Sequence, residues 1–168
     1  MSKRLITYSK DIEEYNEETD KLLNDSYIAY TDGSCDNYSH YRAGGSAYII
    51  IKDNEVIKIK AKGMIPTTNN RAELLAIISA ANSVPEGSNL DIFTDSKYCI
   101  MVLDKRNHKK NMDLIRLFNK VVSKLNKFQF HWVKGHNGNK YNEMVDTLAY
   151  GAYREVSEKY NIDITPRK

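Results

Sequence analysis

Four acidic residues, each in a separate short motif, are the strongest chemical signal in this chain. They are Asp32 in Tyr-Thr-Asp-Gly-Ser, Glu73 in Asn-Asn-Arg-Ala-Glu-Leu, Asp95 in Phe-Thr-Asp-Ser-Lys-Tyr, and Asp146, which follows His136 by ten residues. Hard divalent cations prefer carboxylate oxygens, and two such ions about 4 Å apart stabilise both the attacking and the leaving oxygen of a phosphodiester. If the fold brings the four acids together, they predict metal-dependent cleavage of phosphodiester bonds.

Two of these acids also have a specific structural explanation. Asp32 precedes Gly33, and an Asp-Gly pair is a strong signal for a turn that closes a strand. Glu73 follows Asn70 by three residues, which is the spacing of a capping box at a helix N-terminus. The residues alone leave both alternatives open beside a role as metal ligands.

The other two acids and the histidine are equally ambiguous when each is taken alone. Asp95 follows a short apolar run and could be the N-cap of a helix. Asp146 lies away from the middle of the apolar stripe of its segment and could be a solvated helical residue. His136 lies in a glycine-flanked loop, where it could be incidental or could move protons near neutral pH.

The pattern of apolar residues predicts the elements that must position these side chains. Short β-branched and aromatic runs predict strands, and apolar residues at helical spacing predict helices. The predicted strands are residues 27–31, 46–51, 57–61, 90–94 and 128–133. The predicted helices are 70 to the break at Pro85, 96–103, 112–125 and 141–152. The order βββαβααβα predicts an α/β fold with a five-stranded mixed sheet, three antiparallel strands then two parallel, flanked by helices.

Bulk properties predict a soluble, single-domain protein of the cytoplasm. The chain has 168 residues, of which 41% are hydrophobic and 28% charged. No apolar run approaches the length of about 20 residues that a membrane helix needs, and no secretory signal follows the first charges. Cys35 and Cys99 form no Cys-x-x-Cys pair, which favours free thiols in a reducing compartment.

Charge divides the chain into regions. Residues 1–26 hold four basic and seven acidic residues, whereas residues 27–168 carry a net charge of +6. We predict an acidic N-terminal extension (1–26), followed by one folded domain (27–155) and a C-terminal tail (156–168); the resemblance described next implies that this domain is catalytic. A basic body around an acidic cluster suits a polyanionic substrate, although a charge of this size is also ordinary for a protein surface.

Taken together, the motifs resemble those of the type 1 ribonuclease H family, which includes the ribonuclease H domains of retroviral reverse transcriptases. The matching segments are 30–35 (Tyr-Thr-Asp-Gly-Ser-Cys), 67–74 (Thr-Thr-Asn-Asn-Arg-Ala-Glu-Leu), 94–98 (Thr-Asp-Ser-Lys-Tyr), 132–136 (Trp-Val-Lys-Gly-His) and 146–149 (Asp-Thr-Leu-Ala). They occur in the family's order over about residues 27–153, and the second is especially specific. The predicted order of strands and helices is also that of the family, a ribonuclease H-like fold.

The resemblance implies an endonuclease that hydrolyses the RNA strand of RNA–DNA hybrids with little sequence specificity. Asp32, Glu73, Asp95 and Asp146 would be ligands of two Mg²⁺ ions, with Mn²⁺ a possible substitute. The products would carry 5′-phosphate and 3′-hydroxyl ends, and His136 would assist proton movement and product release. We expect a monomer whose partner is the hybrid duplex, without membrane association.

The resemblance also marks positions that would contact substrate. They are Gly33, Ser34, Cys35, Asn37, Thr68, Asn69 and Asn70. The first three would offer backbone groups to the scissile strand, the adjacent asparagines would lie near the groove, and the threonine would lie by a DNA phosphate. Residues 67–70 could instead be only a turn and a helix start. Trp132 lies in an apolar strand, so we expect it in the core.

The segment between Tyr98 and Met112 is short and lacks the longer basic helix and loop that some relatives have. Four basic residues in this segment could form a small basic patch or a solvated linker: Lys105, Arg106, Lys109 and Lys110. We expect weaker, more salt-sensitive binding than in relatives with the full segment. Two other functions stay open at this point: a strand-transfer enzyme or different nuclease of the same fold, and a non-catalytic hybrid-binding module.

Overall fold

Nine elements form the part of the chain that the structure describes, residues 25–38, 40–105 and 110–164 of a computed structural model. The strands are β1 (Ser26–Cys35), β2 (Gly44–Lys52), β3 (Glu55–Met64), β4 (Asn89–Thr94) and β5 (Lys127–Trp132). The helices are α1 (Asn69–Ser83), α2 (Lys97–Leu103), α3 (Met112–Val122) and α4 (Lys140–Lys159). This order confirms the predicted one, while most of the acidic N-terminal extension lies outside the described residues.

The five strands form one mixed sheet in the order β3-β2-β1-β4-β5. β1 pairs antiparallel with β2, and β2 pairs antiparallel with β3. On its other side β1 pairs parallel with β4, and β4 pairs parallel with β5. The predicted sheet of three antiparallel and two parallel strands is therefore confirmed, with β1 at its centre.

β1 is longer than the sequence predicted. It continues through Asp32 to Cys35, and Asp32 pairs with Ala47 in the ladder with β2. The expectation that Asp32-Gly33 could close the strand as a turn is wrong, because both residues have partners on β2. The chain instead turns after Cys35. Pairing with β2 therefore fixes the backbone of Asp32 within the central strand of the sheet.

Helices cover the two faces of the sheet unequally. α1, α2 and α3 pack on one face, where Leu74 and Ile77 of α1 meet Ile92 of β4 and Phe118 of α3 in the main core. On the other face α4 covers β1, β2 and β3, with Val145 packed among the isoleucines of β2. The two cores fix α1 and α4 on opposite sides of β1, the strand that carries Asp32.

Glycine lets α1 approach β1 closely. A Cβ atom built on Gly33 would lie 2.6 Å from the carbonyl carbon of Ala72 and 2.9 Å from its Cβ atom, so no larger residue fits there. Nearby, the Ser46 hydroxyl on β2 donates a hydrogen bond of 2.6 Å to the Ala72 carbonyl. Both contacts hold the second turn of α1, which carries Glu73, against the central strands.

α4 approaches the sheet through a second pair of glycines. Cβ atoms built on Gly45 and Gly63 would lie 2.7 Å from the Tyr153 nitrogen and the Ala152 oxygen, respectively. The helix continues to Lys159, past the boundary predicted at residue 155, and Ile162 still packs against Tyr153. Within the described ranges, the helices are too short or too polar to cross a membrane.

Candidate active site

Three of the four predicted acids meet in one cluster. One carboxylate oxygen from each of Asp32, Glu73 and Asp95 lies within 4.8 Å of the other two. Asp32 comes from the middle of β1, Glu73 from the second turn of α1, and Asp95 from the residue after β4. Over the described part of the chain, no other group of three or more acids, histidines or cysteines converges in this way.

Two of the three acids are buried, and none of the ion pairs among the described residues involves a member of the cluster. Asp32 is 4% exposed and Glu73 5% exposed. Burial, and then the charge of Asp95, raises the pKa of Asp32 to about 8. Burial also raises the pKa of Glu73, with the charge of Asp32 as the next cause, and burial raises the pKa of Asp95. Like charges taken out of water are unfavourable unless a cation joins them.

Glu73 does not form the capping box that its spacing allowed. The N-cap of α1 is Thr68, whose hydroxyl oxygen accepts a hydrogen bond of 3.1 Å from the Arg71 backbone N–H. Glu73 instead turns toward Asp32, and its Oε2 atom is buried without a hydrogen-bond partner among the described residues. An orphaned carboxylate oxygen in such a place has the chemistry of a metal ligand.

Asp95 is likewise not a helix cap. The N-cap of α2 is Ser96, whose hydroxyl accepts a hydrogen bond of 3.1 Å from the Cys99 N–H. The Thr94 hydroxyl accepts one of 3.1 Å from the Ser96 N–H. Because Ser96 caps the helix and Thr94 accepts the Ser96 N–H, the Asp95 carboxylate is not needed as a cap and points into the cluster.

Asp146 lies beside the cluster but is not among the three converging acids. It is half-buried on α4, and its charge raises the pKa of both Asp32 and Asp95. The alternative that Asp146 is simply a solvated helical residue does not describe it, because it is only partly exposed and its charge acts on two acids of the cluster. Asp146 lies outside the group of three acids because α4, which carries it, packs on the face of the sheet opposite to α1.

Asn142 is a site residue that the sequence analysis missed. It is 3% exposed, and its amide donates a hydrogen bond to the Asp95 carboxylate, which lowers the pKa of Asp95. The sequence held a signal for it. Asn142 precedes Asp146 by four residues, so both lie on one face of α4, and it is a polar residue within the buried stripe of Val145 and Ala149.

The loop after β5 brings His136 to the edge of the cluster. The backbone at His136 is left-handed, with a φ of 54°, and its side chain is exposed. The positive charge that His136 can carry lowers the pKa of Asp95. Gly135 lies against the same carboxylate, since a Cβ atom built there would be 3.0 Å from Asp95 Oδ2. An exposed imidazole therefore lies close enough to the acids to exchange protons with a substrate bound there.

The predicted substrate-contacting residues lie around one end of β1. Gly33, Ser34 and Cys35 form its last residues, and the Cys35 thiol donates to the Thr67 carbonyl at 3.7 Å. That contact brings the end of β1 to the N-terminus of α1, where Thr68 is the N-cap and Asn69 and Asn70 are exposed. Asn37 is exposed just beyond β1. Their contacts with a substrate stay predictions.

The expectation that Trp132 lies in the core is wrong. Trp132 is 48% exposed, because it lies at the end of β5, beyond the core against which Phe128 and Phe130 pack. The indole N–H donates a hydrogen bond of 3.2 Å to the Asp95 carbonyl, and Lys97 Nζ lies 4.7 Å from the ring centroid. Trp132 thus supports the backbone of a cluster residue from the solvent side.

The short basic segment is only partly described. Lys105 and Lys110 are exposed, while Arg106 and Lys109 lie outside the described residues. Whether the four form a patch therefore stays a prediction.

Comparisons with known proteins agree on one family. The sequence profile of the RNase H family matches residues 24–154. Ribonuclease HI of Campylobacter jejuni is 37% identical over 139 residues, covering 77% of this chain and 92% of its own length. Ribonuclease H of Psychromonas ingrahamii is 37% identical over 134 residues, covering 71% and 85%.

A solved structure supports the fold independently. The N-terminal RNase H domain of a Mycobacterium tuberculosis protein, solved as a fusion with maltose-binding protein, matches with a TM-score of 0.68. The match covers 80% of this chain and 98% of that one at 16% identity, which is evidence for the fold alone.

Proposed function

This chain belongs to the ribonuclease H family, and from that premise we propose that it is an endonuclease that hydrolyses the RNA strand of RNA–DNA hybrids. The observation that carries the proposal is the convergence of Asp32, Glu73 and Asp95 within 4.8 Å. A non-catalytic binding module would have no use for a buried acidic cluster that costs folding stability. A cytoplasmic location and a monomeric state stay predictions.

The residues present fit divalent metal ions. All donors are carboxylate oxygens, the ligands that Mg²⁺ and Mn²⁺ prefer, and Glu73 Oε2 lacks a protein partner. Asp32, Glu73 and Asp95 would hold the ions, with Asp146 completing the set. Two bound Mg²⁺ ions would supply an activated water and stabilise charge on the departing 3′ oxygen, which gives 5′-phosphate and 3′-hydroxyl ends.

The protein's own contribution is to orient the ligands and to move protons. Asp95 is held from two sides, by the Asn142 amide on its carboxylate and by the Trp132 indole on its carbonyl. Rigid support of this kind keeps ligands within the narrow tolerances of metal sites. His136, exposed on its loop, is placed to give or take a proton as the products leave.

Selection of a hybrid requires sensing a 2′-hydroxyl on one strand only. The exposed Asn69 and Asn70 amides at the start of α1 can donate to and accept from sugar and base edges. The Cys35–Thr67 hydrogen bond joins this start of α1 to the end of β1, which is formed by the backbone from Gly33 to Cys35. Each surface belongs to an element that carries a cluster residue, Asp32 on β1 and Glu73 on α1, which supports contacts with a duplex at the cluster.

Labelled RNA–DNA hybrid, single-stranded RNA, double-stranded RNA and double-stranded DNA test the proposal, each with and without Mg²⁺. We expect cleavage of the hybrid alone, only with metal, and a loss of about 10³-fold in Asp95→Asn, because one oriented charge is removed. Asp104→Asn is the matched control, since Asp104 is exposed at the end of α2. An uncut hybrid, or an Asp95→Asn variant as active as the parent, would refute the proposal.

A further inference from the structure

A row of lysines lies on the edge strand β3. Lys58, Lys60 and Lys62 are all exposed, and the register pairs them with Ile50, Tyr48 and Ser46 of β2. Tyr48 and Ile50 belong to the core under α1, so the three lysines stand on the face of the sheet that α1 covers. We call these three residues the lysine ridge.

The lysine ridge carries uncompensated positive charge. None of the ion pairs formed within the described ranges involves Lys58, Lys60 or Lys62. The opposite face of the same strand exposes Ile57 and Ile59 instead, so the charge is concentrated on one face. Such a concentration creates a local field that attracts polyanions.

An open groove separates the lysine ridge from α1. Its volume is about 330 Å³, and its walls include Tyr48, Lys60, Lys62, Leu75 and Ser79. The walls are held together where the Ser46 hydroxyl donates to the Ala72 carbonyl. A shallow groove with lysines along one wall suits an elongated anion that lies across it.

Helix α1 connects the groove with the surface that the proposed function uses. α1 forms one wall, and its first turn carries Asn69 and Asn70. The register places Lys62 opposite Ser46, and Ser46 opposite Gly33, the neighbour of Asp32 in β1. The lysine ridge therefore begins at the level of the acidic cluster and extends away from it along β3.

We propose that the lysine ridge binds the phosphate backbone of the hybrid outside the catalytic cluster, an inference that rests on the proposed function. Alternate residues of a strand are about 6.8 Å apart, which is twice the axial spacing of about 3.4 Å between phosphates of one strand. The three ammonium groups span about 13.6 Å and can therefore meet alternate phosphates along one strand within a single helical turn. The contact is independent of base sequence, because it is made to phosphates.

The test is the triple variant Lys58→Gln, Lys60→Gln, Lys62→Gln of the full chain, assayed on hybrids of increasing length. We expect an unchanged kcat and a KM raised about tenfold on long hybrids at low salt, with little change on the shortest hybrid that is still cut. The slope of log KM against log salt should fall by about 0.9 for each lysine that meets a phosphate. The corresponding triple arginine variant should restore the parent KM.

A matched control removes the same charge elsewhere. Lys120→Gln, Lys124→Gln, Lys127→Gln changes three exposed lysines at the end of the sheet where β5 begins, opposite to Asp95. We expect this variant to keep the parent KM. Equal changes in both triple variants would overturn the proposal, because net charge rather than position would then set affinity.

Three other results would also overturn it. The first is an unaltered KM of the ridge variant on long hybrids. The second is an unaltered KM together with self-association of the ridge variant in light scattering, which would mean that the lysines protect an edge strand from pairing. The third is an unaltered hybrid affinity together with lost binding of an acidic peptide such as poly-glutamate.

If the parent does not cut hybrid, the proposed function fails. Gel-shift binding of hybrid in the presence of chelator then still tests the lysine ridge.

Discussion

Two charged side chains of α1, two residues apart, have opposite environments. Arg71 donates to both carboxylate oxygens of Asp113, at 3.0 and 2.8 Å, and to Asn111 at 3.2 Å. Glu73 is buried and converges with two other acids, Asp32 and Asp95. The Arg71 charge is paired with an opposite charge, whereas the carboxylates around Glu73 repel one another. The paired charge stabilises the fold, and the repelling carboxylates are suited to binding a cation.

The two regions respond to pH with opposite sign. The Arg71 guanidinium lowers the pKa of Asp113 to about 2, so this pair adds stability above about pH 4 that is lost as the pH falls toward 2. Burial raises the pKa of Asp32 to about 8, so the folded state holds a proton that the unfolded state has released. Without metal, the cluster therefore lowers stability progressively as the pH rises from about 4 to about 8.

The largest expected effect comes from removing charge from the cluster. Asp32→Asn should lower hybrid cleavage by about 10³-fold, because a central ligand is lost. The same variant without metal should be more stable than the parent at pH 8, with a melting temperature about 5 °C higher, because asparagine needs no proton. Activity assays and thermal melts in chelator measure the two effects.

The pH series supplies the control for this prediction. The stability advantage of Asp32→Asn should shrink as the pH falls from about 8 to about 4, and saturating Mg²⁺ should remove it by stabilising only the parent. A metal-free variant that is less stable than the parent at pH 8 would show that Asp32 is a structural residue.

The next effect concerns how α1 is held near β1. Gly33→Ala places a Cβ atom 2.6 Å from the Ala72 carbonyl carbon, so α1 must shift. We expect a loss of about 2–3 kcal/mol in the free energy of unfolding and of about 10²-fold in activity, because Glu73 moves with the helix. Chemical denaturation and cleavage kinetics measure these losses.

Gly151 offers the matched control for that change. It lies in α4 with nothing within 4 Å of a Cβ atom built on it. Gly151→Ala should therefore leave activity unchanged and stabilise the protein by about 0.5–1 kcal/mol. If both alanine variants behave alike, close approach at Gly33 does not position Glu73.

The sequence predicted the fold and the acids better than it predicted their surroundings. Periodicity revealed the nine elements, because apolar residues recur in most of them at the spacing of a strand or a helix, even in β3, which has no buried residue. It could not decide whether Glu73 and Asp95 were caps, because several neighbours had the right chemistry. Thr68 and Ser96 perform that duty instead, which leaves the acids to the cluster.

Trp132 and Asn142 show where sequence reasoning was insufficient. An apolar strand pattern says that a residue can be buried, but the length of the neighbouring core decides whether it is, and Trp132 lies beyond that core. Asn142 was visible as a polar residue on the buried face of α4. Its partner, Asp95, is distant in the chain, so the hydrogen bond needed the tertiary structure.

A smaller effect should follow from changing the acid at the border of the cluster. Asp146 is half-buried and outside the group within 4.8 Å, so Asp146→Asn should lower activity about tenfold, far less than Asp32→Asn. It should also lower the pKa of Asp32 and Asp95, because it removes a like charge. Asp163→Asn, at an exposed residue, is the control. Equal losses in Asp146→Asn and Asp32→Asn would place all four acids in one tightly coupled centre.

The smallest effect should come from the satisfied pair on the same helix as Glu73. Asp113→Asn leaves Arg71 with Asn111 as its partner, so the melting temperature at neutral pH should fall by no more than about 2 °C. The difference from the parent should vanish as the pH falls from about 4 to about 2, where Asp113 of the parent also takes up a proton. Hybrid cleavage should stay within about twofold, since the pair faces away from the acids. Asp113→Asn could instead lose as much activity as Asp146→Asn. The Arg71–Asp113 pair would then position the N-terminus of α1 for catalysis, and the distinction between a structural Arg71 and a functional Glu73 would be wrong.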